Sequence, residues 1–95
     1  MARFQVTCIV KRGDHFNPHE RIEYIGYQGK WMMAEDDAIR TIKAGKESFY
    51  TFVNGREADV VVATHKGREY LKTTADGYSP DNLLSLDDCV NCKVI

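Results

Sequence analysis

The sequence predicts an α+β domain: an antiparallel sheet of about five strands, ordered β-β-α-β-β-β, with one helix and a short C-terminal helical turn. Three observations point there. Apolar residues near the N-terminus recur every second position, which is the period of a half-buried strand. After Met33 the spacing changes to three and four, the period of a helix face. From Ser48 onward, β-branched and aromatic runs are broken by Asn54-Gly55 and Lys66-Gly67, the chemistry of tight hairpin turns.

The first strand is the alternation of Phe4, Val6, Cys8 and Val10 with Arg3, Gln5, Thr7 and Lys11. That pattern makes Cys8 an inward-facing core thiol. The polar stretch GDHFNPHE connects to RIEYIGY, where Ile22 and Tyr24 alternate with Arg21 and Glu23 as a second strand, antiparallel to the first. In AEDDAIRTIKAG, Ala38, Ile39 and Ile42 form one stripe. Glu35, Asp36 and Asp37 crowd the first turn, and Arg40 and Lys43 lie toward the end, both favourable to the helix dipole. Gly45 stands where a left-handed cap belongs, whereas Met32 and Met33 offer no capping oxygen at the start.

SFYTFV, EADVVVATH and REYLKTT then read as a meander. The stretch TADGYSPDNLLSL turns the corner that follows it. Asp76-Gly77 suits a tight turn, Ser79 can cap, Pro80 fits the first helical position, and Asp81 favours the positive end. Leu83, Leu84 and Leu86 are then expected to lie over the sheet. Residues 1–95 form one compact domain, with 87–95 expected as a flexible tail.

The block Tyr70-Leu71, Thr73, Asp76-Gly77 and Pro80-Asp81-Asn82-Leu83-Leu84, with HERIEYIGY, IRTIKAG and SFYTFV before it, resembles the small bacterial and phage proteins grouped as domain of unknown function 3892. The resemblance runs from about Phe4 to Leu86 and implies one compact domain without a known activity. Members usually open the helix with a Ser or Thr cap, and here methionines stand in that place.

Composition narrows the function classes. The 13 basic and 14 acidic residues nearly cancel, which disfavours a dedicated nucleic-acid binder. Arg56, Lys66, Arg68 and Lys72 with Tyr70 could hold a strand, but Glu57, Asp59 and Glu69 are interleaved, so weak nucleic-acid binding is the least favoured alternative. No apolar run reaches the roughly 20 residues that span a bilayer. The N-terminus lacks the apolar stretch of a signal peptide, so the expected location is the cytoplasm. Three cysteines also fit a reducing compartment better than a disulfide framework.

Catalytic signatures are missing: there is no G-x-S-x-G, Walker loop, HExxH or dinucleotide fingerprint, and the expectation is a non-enzyme without cofactor. Cys89 and Cys92 form a C-x-x-C, and His15 and His19 are four apart. Two thiolates and two imidazoles make a tetrahedral zinc set, the alternative cofactor reading. Trp31, Tyr27 and Tyr78 are the expected partner-binding residues, because aromatics exceed what a core this size buries. The leading expectation is an accessory module that binds another protein or pairs with itself through a sheet edge.

Overall fold

The structure is a computed structural model that describes residues 2–13, 20–76 and 81–95. Its elements are β1 (Ala2–Gln5), β2 (Cys8–Lys11), β3 (Ile22–Tyr27), β4 (Trp31–Ala34), α1 (Glu35–Lys43), β5 (Glu47–Val53), β6 (Arg56–His65), β7 (Arg68–Thr73), α2 (Asp81–Leu84), β8 (Asp87–Asp88) and β9 (Lys93–Val94). The α+β class holds, but the strands form two sheets where one was expected. A four-stranded sheet is ordered β1-β5-β6-β7, and a five-stranded sheet β8-β2-β3-β4-β9.

The two sheets share the run from Ala2 to Lys11. Val6 N donates to Tyr50 O in one sheet, and the next residue, Thr7, donates its N–H to Gly26 O in the other. That hand-over shifts the alternation. Val6 and Ile9, three apart, both enter the core, so Cys8 falls on the opposite side of β2 from Ile9. The strict period of two holds only within each half.

Nor is the pairing purely antiparallel. β1–β5, β2–β8 and β4–β9 run parallel, whereas β2–β3, β3–β4, β5–β6 and β6–β7 run antiparallel. Parallel neighbours need a long connection between them, which patterns of adjacent residues do not display. β4 was also hidden in sequence, because Trp-Met-Met-Ala directly abuts the helix.

Local signals form the elements they predict. The turns at Asn54-Gly55 (φ 53° and 75°) and Lys66-Gly67 (φ 50° and 80°) are left-handed at both central positions, as two-residue hairpins require. Helix α1 begins after Ala34 with no side-chain cap and ends at Gly45, where φ is 71°. There Gly45 N donates to Ile42 O and Lys46 N to Thr41 O, a Schellman ending.

The helix touches strands of both sheets and buries Ala38 and Ile39 between them. Around it, Val6, Ile9, Ile25, Phe49, Leu71 and Leu83 are almost wholly buried. Each large apolar side chain so buried contributes roughly 1.5–3 kcal/mol.

The corner after β7 is tied by Asp76. Its carboxylate accepts from Thr73 N (3.2 Å) and Asn82 N (3.1 Å), and Asn82 Nδ2 donates to Thr73 Oγ1 (2.9 Å). This anchors α2 and drives Leu83 into the core. Ser79 and Pro80, the expected cap and first helical residue, lie outside the described residues.

Candidate functional site

Residues 87–95, for which a flexible tail was expected, run across the end of the five-stranded sheet. β8 pairs with β2 at Cys8 and Ile9, and β9 pairs with β4 at Trp31 and Met32. Between them the chain crosses beside the β3–β4 turn. Gln28 grips it there, donating Nε2 to Asp88 O (2.8 Å) and accepting from Val90 N at Oε1 (2.6 Å). Cys89 N donates to Ile9 O, Lys93 N to Lys30 O and Ile95 N to Met32 O.

The strap carries Cys89 and Cys92 and brings them to Cys8 on β2. Cys8 and Cys89, separated by 81 positions, form a disulfide, and Cys92 is a free, half-buried thiol. The three sulfurs lie within 4.8 Å of one another. Asn91, with φ 56°, bends Cys-Val-Asn-Cys back on itself so that Cys92 faces the disulfide. Cys92 Sγ is 3.5 Å from both Tyr27 O and Val90 O, where its S–H acts as a donor.

Cys8 is fully buried, as the alternation implies, but it is oxidised and faces away from the apolar core. The sequence signal for this was Ile9, an apolar residue directly after Cys8 that competes with it for the inner face. His15 and His19, the other half of the expected zinc set, lie outside the described residues, so only the C-x-x-C half of that set is placed.

The expected partner-binding residues divide. Trp31 is half-buried, its ring 5.7 Å from Phe4 and 6.0 Å from Phe49 between centroids, a geometry aromatic pairs favour. Beside this trio a hollow of about 40 Å³, lined also by Met33, Glu47 and Ile95, has room for a water or a methyl group. Tyr27 is 37% exposed on the neighbouring strand, and Tyr78 lies outside the described residues. The tail adds Val90, Val94 and Ile95, each more than half exposed. Val90 sits at Gln28 of the β3–β4 turn, whereas Val94 and Ile95 lie along β4 at Met32.

Charges on the other sheet are mostly matched. Arg3 bridges Glu57 (3.1 Å) and Asp59 (2.8 Å) and stacks over the Tyr50 ring at 4.0 Å, and Lys43 pairs with Glu69 (2.8 Å). Glu35 differs: it is 1% exposed, and among the described residues neither oxygen accepts a hydrogen bond of good geometry. Arg68 Nη1 stands 3.6 Å away. Burial pushes its pKa up to about 7, against the opposing pull of Arg68, the Leu71 backbone and Arg12.

Among the described residues no helix is long and apolar enough to cross a membrane. The sequence model of a family described as "Protein of unknown function (DUF3892)" matches residues 5–87. No curated protein and no solved structure matches the chain.

Proposed function

Since the chain belongs to the DUF3892 family, whose description names no activity, we propose its function from surface and chemistry: a non-enzymatic accessory module that binds protein, with a second copy of itself as the partner to test first. One observation carries this reading. Tyr27 before the β3–β4 turn and Val90, Val94 and Ile95 on the strap that crosses it expose apolar side chains, and Ile95 lines the hollow beside the aromatic trio. Clustered apolar exposure of this kind is what protein interfaces cover. A net charge of −1 leaves little repulsion between two copies. The small hollow beside Trp31 suits a side chain better than a ligand of ordinary size.

Native mass spectrometry with sedimentation at rising concentration tests it. Dimer is expected, and Val94→Asp should abolish it. A monomer at every concentration, unchanged in Val94→Asp, overturns the self-association reading.

A second reading, a zinc-stabilised module, is favoured by the clustering of Cys8, Cys89 and Cys92. Zinc takes thiolates, so this reading requires the disulfide to be reduced first. The same spectrum, recorded after dithiol treatment with zinc added, is expected to show one ion per chain if it holds. Nucleic-acid binding has less support: of its candidate cluster Arg56, Lys66, Arg68 and Lys72, Arg68 faces the Glu35 carboxylate, and the acidic Glu57, Asp59 and Glu69 stand on the same strands. The cytoplasmic placement belongs to this proposal too. A disulfide there is typically transient or redox-active, which directs attention to the third thiol.

A further inference from the structure

A disulfide with a free thiol held against it is chemically unfinished. We propose that Cys8, Cys89 and Cys92 form an intramolecular thiol–disulfide exchange site that fastens and releases the strap. The Cys92 thiolate attacks Cys89 Sγ, so the Cys8–Cys89 bond breaks as a Cys89–Cys92 bond forms. Cys8 leaves as a thiolate and takes a proton, replacing the one Cys92 gave up. One S–S bond and one S–H bond are exchanged for one of each, and no outside oxidant or reductant is needed.

Three features direct the attack to Cys89. All three sulfurs lie within 4.8 Å, so side-chain rotation is enough to bring Cys92 into contact. Cys8 is fully buried on its strand, whereas Cys89 is only partly covered. The left-handed Asn91 already closes the C-x-x-C turn that the new disulfide requires.

The two isomers differ in what they hold. With Cys8–Cys89 closed, the tail is covalently fixed to β2. With Cys89–Cys92 closed, Gln28 and the short β8 and β9 pairings are what retain it among the described residues. The exchange therefore governs how firmly Val90 stays at Gln28, Val94 at Met32 and Ile95 beside Trp31. It rests on the sulfur geometry alone and stands even if the apolar face binds nothing.

Peptide mapping without reduction tests it and requires no partner. Trypsin yields the fragment 4–11, which carries Cys8, and the fragment 73–93, which carries Cys89 and Cys92. Wild-type protein is incubated at about pH 8.5, where ordinary thiols are substantially ionised, then alkylated and acidified. Part of fragment 4–11 is expected to be free and alkylated, with fragment 73–93 internally oxidised. The rate should rise with pH, because the thiolate is the attacking species. Cys92→Ser should leave 4–11 wholly linked to 73–93, and Cys8→Ser should close the internal disulfide on air oxidation. The proposal is overturned if wild-type 4–11 stays fully linked while Cys92 alone is alkylated. It is equally overturned if Cys8→Ser keeps two free thiols in air, or if the Cys8–Cys89 bond never forms.

Discussion

Glu35 is the residue whose chemistry most conflicts with its surroundings. It occupies the first turn of α1, where a negative charge is favourable, yet burial removes the water that would stabilise that charge. The folded chain keeps its proton up to about pH 7, while the unfolded chain releases it near 4.5. Between those values the folded state binds more protons, so stability falls as pH rises through the window. The full effect is as much as about 3 kcal/mol. Glu35→Gln copies the protonated form and should flatten that slope. Urea unfolding at pH 5, 6, 7 and 8 measures it, and an unchanged slope would assign the pH dependence to other groups. The environment of Glu35 was not legible in the sequence. It stands in the sequence among charged residues of a first turn, and its burial follows from the packing of α1 against strands of both sheets.

At the scale of elements, legibility followed the range of the interaction. Asn54-Gly55, Lys66-Gly67, the Gly45 ending of α1 and the Leu83 turn of α2 are set by neighbours within a few residues, and all formed as read. The hand-over at Val6–Thr7, the parallel strands and the Cys8–Cys89 link join positions 19 to 81 apart, and no local pattern encodes such pairs. For the candidate site this meant that the C-x-x-C was visible and its third member was not.

The strap is itself an element held by few bonds, and Gln28 supplies two of them. Gln28→Ala removes both, each worth about 1 kcal/mol. Amide exchange at Lys93 and Ile95 should then accelerate roughly 5- to 30-fold, while β5–β7 stay protected. Equal rates in the variant and the parent would mean that the disulfide and the β8 and β9 pairings hold the tail without help from Gln28.

For the whole molecule, the cross-link matters through the loop it closes. Joining positions 81 apart restricts the unfolded chain enough to contribute about 4–5 kcal/mol, against a total of about 5–15 for a typical domain. Dithiothreitol should therefore lower the melting temperature by about 15 °C or more. Cys8→Ser should melt like the reduced parent. An unchanged melt would show that the packed sheets hold their shape without the bond.

The same separation fixes an order of events during synthesis. The hairpins of the four-stranded sheet are complete once β7 has been made, but the five-stranded sheet gains β8 and β9 only with the last residues described. At about 5–20 residues per second, Cys8 waits several seconds on the ribosome before Cys89 exists. During that interval it is an unpaired thiol on a strand that has β3 on one side and still lacks β8 on the other. A nascent chain of this protein thus carries a reactive thiol at Cys8 until the segment with Cys89 has been made and covers it.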